Sequence, residues 1–344
     1  MLYMSVPTDL KTAIQDHDFV SSDFDNPFPH NRELKKFYIL ISTPRSGSTA
    51  LCTEIYRQTG LVIHEYLQPF QYMPYLASRY GAIEKPAHTP PNPKHGIIVL
   101  SKYFEELVRH RAVEGTLGIN CHASHLGYLN ALIEQAKILN PNLEVRKDYL
   151  YRLDIYKQAA SYAIAKQTRQ WSTIRPAKST ATGRLNRLYI CMNAAQCYQK
   201  LKTENESIAP PSSGFKYEQI LTYETNIEIN LQESAAQIAA ALCLTNRAQA
   251  PANASSLCRQ KSSLNDEIAK SIRDNMPLYR ALNAIKGPLC KALGYVNRLF
   301  WRLVRQHEVA KSITLLQINN KEDYALNQNP SKFFQLEKYV YLAS

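Results

Sequence analysis

The chain has 344 residues and a formal net charge of +12 at neutral pH, enough for one large α/β domain or two small ones. It contains no run of about 18 apolar residues, so no membrane-spanning helix is expected. The basic balance points to an anionic partner, but the positive residues are scattered apart from clusters such as Arg298, Arg302 and Arg305, which argues against nucleic acid.

Residues 1–36 are polar, with Asp9, Asp16, Asp18, Asp23 and Asp25 and no hydrophobic segment. They read as an N-terminal extension rather than a secretory signal. A strand is predicted over 37–43, a helix over 49–59 and a short strand near 61–63. The stretch 84–95 carries Pro86, Pro90, Pro91 and Pro93 and reads as a loop. Next come a helix near 99–112, a strand near 116–122, a helix near 125–139 and a strand over 143–147. A helix over 155–171, a polar loop over 172–183 and a long helix over 185–204 follow. Pro210 and Pro211 break the chain, Phe215–Tyr217 reads as a further strand, and helices near 229–244 and 264–284 complete the domain, 37–285. Strands alternating with helices imply a parallel sheet flanked by helices, with ligands at the carboxyl ends of its strands. Residues 286–344 read as a helical C-terminal extension. Its basic amphipathic stretch, 295–305, is expected to pack on the core, with contact to a membrane surface as the alternative.

The first strand runs directly into Pro44-Arg45-Ser46-Gly47-Ser48-Thr49 and then a helix. A tight loop between a strand and a helix N-terminus seats an anion, because loop amides and the helix dipole converge on it. Arg45 adds a planar fork of donors, the hydroxyls of Ser46, Ser48 and Thr49 add more, and Gly47 lets the backbone curl closely. The triphosphatase loop G-x-x-x-x-G-K-[ST] does not fit: its first Gly falls on Ser42 and no Lys follows Gly47. A tyrosine-phosphatase loop needs a Cys where Ser42 and Thr43 stand.

A second segment, Arg152-Leu-Asp154 with Gln158-Ala-Ala-Ser161 and Gln167-Thr168-Arg169-Gln-Trp171, follows the strand at 143–147. With the 44–49 loop it resembles the trehalose 2-sulfotransferase family, over about residues 37–275. Supporting likenesses lie at Thr59-Gly60-Leu61, at Glu65, at Phe70-Gln71-Tyr72-Met73-Pro74, at Gly118-Ile-Asn120-Cys-His122 and at Arg259-Gln260. The resemblance implies a sulfotransferase-type, P-loop-like three-layer sandwich and 3′-phosphoadenosine 5′-phosphosulfate (PAPS) as sulfuryl donor. It also implies a carbohydrate or glycolipid acceptor, no metal, and a homodimer. Pro44 to Thr49, Arg259 and Gln260 then fall in the cofactor site, with Arg152 and Ser161 on the 3′-phosphate. His64, Tyr72, Asn120, His122, Gln167 and Trp171 face the acceptor.

Transfer to a hydroxyl needs a base. Glu65 is the only carboxylate between Glu54 and Glu84 and is the choice for that role, with Arg45 meeting the charge of the leaving oxygen; His64 and His122 are rival bases. Asn120 stands where the family usually carries Lys, and donates a hydrogen bond without supplying a cation. Lys102, Arg45 and Arg259 are the residues that could cover the missing charge. A binding-only homologue therefore stays open as the alternative, and a nucleotide kinase or phosphatase as a more distant one. The seven cysteines form no C-x-x-C, only His122 lies beside Cys121, and reduced thiols of a cytoplasmic enzyme are the plain reading.

Overall fold

The computed structural model describes residues 3–7, 18–26, 33–69, 72–84, 95–168, 184–210, 212, 214–244 and 263–285. Its strands are β1 (Tyr3–Pro7), β2 (Lys36–Ser42), β3 (Ile63–His64), β4 (Ile83–Glu84), β5 (His95–Val99), β6 (Thr116–His122), β7 (Glu144–Tyr151) and β8 (Gln219–Thr222). The helices are α1 (Ser48–Thr59), α2 (Tyr72–Arg79), α3 (Leu100–Arg111), α4 (Leu126–Leu139), α5 (Ile155–Thr168), α6 (Arg184–Ile208), α7 (Leu231–Ala241) and α8 (Ser263–Asp274).

Phe37 to Ile41 are all fully buried, which is why β2 reads as an unbroken apolar run: a strand inside a parallel sheet has no solvated face. Phe37, Ile39 and Ile41 pack with Leu76, Phe104, Leu107 and Leu132 from α2, α3 and α4. Tyr38 and Leu40 pack on the other face with Leu51, Ile55, Ala235 and Ile238 from α1 and α7. Helices on both faces of a parallel sheet make the three layers expected from the alternation of elements. A third apolar cluster joins α5, α6 and α8 through Ala159, Ala163, Ala194, Leu201 and Ile272.

The main sheet has the order β3-β6-β2-β7-β8, and each neighbouring pair in it is parallel. Register decides what stands at its carboxyl edge. Ser42 pairs with His122 on one side and Leu150 on the other, while His64 pairs with Ile119. Glu65, His122, the loop after Ser42 and Arg152 therefore leave four adjacent strands in that spatial order. Gly118 permits the close seat of β3, since a Cβ there would lie 2.6 Å from Ile63 Cγ1.

Three expectations need correction. The strand at 143–147 continues to Tyr151, so Arg152 leaves directly from its end. Phe215–Tyr217 is not a strand; the strand lies at Gln219–Thr222 instead. The reason is aromatic packing: Tyr217 stacks on Tyr149 with ring centroids 5.3 Å apart, and Lys147 Nζ sits 5.2 Å from the Phe215 ring centroid. The helix expected at 264–284 is interrupted at Asn275.

The segment 18–26 packs on the α2–α3 side. Val20 is buried there, Arg79 Nη2 donates to both Asp25 oxygens at 2.7 Å, and Arg111 Nε lies 2.9 Å from Asp25 Oδ1. Further upstream, β1 pairs antiparallel with β5 in a small second sheet of order β1-β5-β4. Among the described residues no helix is long and apolar enough to cross a membrane. The 172–183 loop and the 295–305 stretch lie outside the described residues.

Candidate active site

The loop between β2 and α1 is built from unusual backbone. Arg45 has φ +68° and Gly47 φ +94°, so two of three consecutive positions are left-handed. That curl is the geometry by which anion-binding loops gather their amides. For Arg45 it costs about 1–2 kcal/mol. At Gly47 only glycine fits, because a Cβ would also lie 2.7 Å from Tyr223 Cδ2. The Ser46 hydroxyl is buried and has no hydrogen-bond partner among the described residues, a cost that an anion seated in the curl would remove.

Two helices clasp this loop. Gln158 Nε2 on α5 donates to Thr43 Oγ1 at 2.9 Å and to the Pro44 carbonyl at 2.8 Å. Thr43 Oγ1 in turn donates to Asn205 Oδ1 on α6 at 3.0 Å. One turn beyond Gln158, Ser161 Oγ accepts from Arg45 Nε at 3.1 Å. The two motifs, more than a hundred residues apart in sequence, thus touch.

Arg152 completes this end. Its guanidinium carbon lies 4.2 Å from the Tyr223 ring centroid, and its Nε lies 3.9 Å from Glu224 Oε1. Glu224 also accepts the backbone N–H groups of Leu153 and Asp154, at 3.0 and 3.2 Å. Burial first, and then the charge of Arg152, make Arg45 hold its proton less tightly than in water. Two half-buried guanidinium groups raising the same local potential form a seat for a multivalent anion. The residues present fit a ligand that carries a phosphate and a sulfuryl group.

At the other end Glu65 Oε1 stands 3.1 Å from His122 Nε2, with the Glu65 side chain 24% exposed. Burial raises its pKa, but the charge and hydrogen bond of His122, followed by His64 and His125, outweigh it and hold the carboxyl at about 2. For His122, burial opposes protonation, yet Glu65 and the Ser42 carbonyl raise its pKa overall. Burial, with His122 and Lys200, pushes His125 down to about 3. Asn120 is buried, donating to Ser48 Oγ at 3.2 Å and accepting from Ser42 Oγ at 3.1 Å.

His64 lies against Tyr72, with ring centroids 4.4 Å apart, and within 6.1 Å of Phe19. Thr49 is exposed at the first turn of α1, and Gln167 is exposed near the end of α5. Lys102 is exposed on α3. Trp171, Arg259 and Gln260 lie outside the described residues. The sequence reading passes over Tyr223 and Glu224, which orient Arg152 and wall the Gly47 curl. Their only sequence signal is an aromatic–acidic pair directly after an apolar β-run. It also passes over Asn205 and the hydroxyl of Ser42.

A family model described as Stf0 sulphotransferase matches residues 37–275, a span that runs from β2 to just past α8. No curated protein matches the chain.

Proposed function

The chain belongs to the Stf0 sulphotransferase family, and on that premise we propose that it moves a sulfuryl group from PAPS to a hydroxyl of a carbohydrate or glycolipid. The observation that carries this reading is the 3.1 Å contact of Arg45 with Ser161, beside Arg152. It sets the 44–49 loop against the 152–161 segment, which supports one anionic ligand held by both. PAPS, when bound, supplies the activated sulfuryl group and a 3′-phosphate that ordinary nucleotides lack.

Arg152 and Ser161 hold the 3′-phosphate, and the Gly47 curl with Arg45 and Ser48 meets negative charge on the departing oxygen. Ser46 donates its buried hydroxyl into the same curl. Glu65 takes the proton of the acceptor hydroxyl. A carboxylate held near pKa 2 is a weak base, but the hydroxyl proton becomes strongly acidic as its oxygen bonds to sulfur, so a weak base suffices. Tyr72, with His64 beside it, lines the way in for the acceptor, and a sugar face stacks well on such rings.

The test is transfer from radiolabelled PAPS to a panel of sugars and glycolipids. Glu65→Ala should lower transfer by about 10²–10⁴-fold while leaving affinity for 3′-phosphoadenosine 5′-phosphate intact. Undiminished transfer in that variant would remove Glu65 from the base role. Nucleotide binding with no transfer to any acceptor would make the protein a binding homologue.

A further inference from the structure

The hydrogen bonds around β6 fix the protonation of one ring. His122 Nδ1 lies 3.1 Å from the Ser42 carbonyl, a group that only accepts. The same nitrogen is 3.2 Å from Ser42 Oγ, whose own hydrogen goes to Asn120 Oδ1. On the other side, Nε2 faces Glu65 Oε1 at 3.1 Å. With Glu65 ionised, both ring nitrogens meet acceptors, and only the doubly protonated ring satisfies both.

We propose that His122 is a resident imidazolium that supplies, at the acceptor end of the cleft, the positive charge Asn120 cannot, and holds Glu65 ionised with Oε2 left for the incoming hydroxyl. This rests on the sulfuryl-transfer reading. His122 is a positioning residue: with both nitrogens committed it has no lone pair to act as the base, which leaves that task to Glu65. The chain of bonds continues through Ser42 and Asn120 to Ser48 at the start of α1, so the carboxylate and the anion loop are set by one rigid polar string.

The charged neighbours from every packed element agree with this assignment. Glu65 follows β3, and Glu204 on α6 also favours a charged His122. His125, on the turn after β6 with its ring centroid 5.7 Å away, is held neutral by burial and by His122 itself. Lys200 on α6 acts on His125, and His64 helps hold Glu65 ionised. Cys52 and Tyr72, which also face Glu65, are kept protonated by burial.

The sign of the pH dependence follows. The charged ring is lost as pH rises through its raised pKa, so transfer should show a basic limb that belongs to His122, while Glu65 gives no acid limb in the ordinary range. In His122→Gln the basic limb should vanish. Burial should then dominate Glu65 and move its acid limb up to the ordinary carboxylate range or beyond, a rise of more than about two pH units, with kcat falling and KM for PAPS held.

A second readout does not need turnover: nitrogen NMR of histidine-labelled protein. At pH 7 both His122 ring nitrogens should carry protons, and Glu65→Gln should lower the pH at which the ring titrates. A single neutral tautomer at pH 7, or an unshifted pH profile in a folded His122→Gln, overturns the proposal. If the wild-type protein transfers to no acceptor, the sulfuryl-transfer reading falls, and the NMR titration alone decides the imidazolium.

Discussion

Gly47 answers two demands with one missing side chain. Its φ of +94° is strained for any L residue, and its Cα faces Tyr223 with no room for a methyl group. Gly47→Ala should therefore lose about 2–3 kcal/mol of unfolding free energy, read as a shift of the urea midpoint at unchanged slope. The affected ring is the one that lies on Arg152, so nucleotide affinity should fall as well. Truncating Tyr223 in the same background should return the steric part of the loss and leave the backbone part. Full recovery would mean that left-handed backbone at residue 47 carries no cost, which would undo the account of the curl.

Among elements, the segment 18–26 contributes more than its polar composition announces. Asp25 lies between Arg79 and Arg111, and Arg111 is only 1% exposed. Arg111 also donates to the carbonyls of Phe19 and Ser21, at 2.9 and 3.1 Å, so the segment is tied to the last turn of α3 by charge and by backbone. Removing the carboxylate leaves a buried cation, and Asp25→Ala should cost about 3–5 kcal/mol. A loss under about 0.5 kcal/mol, the range of a simple surface change, would contradict that pairing. Phe19 touches His64 next to Tyr72, so acceptor KM should suffer more than donor KM in this variant.

The elements also show what a sequence yields and what it withholds. β2 was legible to within one residue, because a strand buried on both faces is an apolar run and nothing else nearby competes; β6 was placed to the residue although Gly118 and Asn120 interrupt its apolar pattern. α1 was placed to within one residue, and the left-handed Gly47 and Gly60 end it on either side. β8 was misplaced by a few residues because Phe215 and Tyr217 are aromatic enough for a strand but are used to cover β7. Asp25 against Arg111, Tyr223 against Gly47, and Glu224 beneath Arg152 were out of reach. Each is a meeting of distant segments that leaves no local period or spacing. The meeting of the candidate site's two segments was legible where polar chemistry is packed into contiguous stretches, at 44–49 and 152–161. It was not legible where a neighbour merely orients that chemistry.

At the scale of the molecule, strand order does the gathering. Glu65, His122, the anion loop and Arg152 leave four neighbouring strands, which spreads the site over three inter-strand steps of about 4.8 Å each. That spacing sets the Glu65 carboxylate at one end and the Arg45 and Arg152 guanidinium groups toward the other, and on the reading proposed above a sulfated nucleotide and its acceptor lie between them. The net charge of +12 favours the approach of such an anion at low ionic strength and less so at high. The central claim is that Arg152 and Arg45 serve two different anionic groups of a single ligand. Calorimetric titration of Arg152→Ala with 3′-phosphoadenosine 5′-phosphate and with adenosine 5′-phosphate tests it most directly. Loss of one charged hydrogen-bonding partner, about 1.5–3 kcal/mol, predicts that the first nucleotide binds roughly ten- to a hundredfold more weakly and the second nearly as before. Equal losses for both nucleotides, or no loss for either, would contradict it.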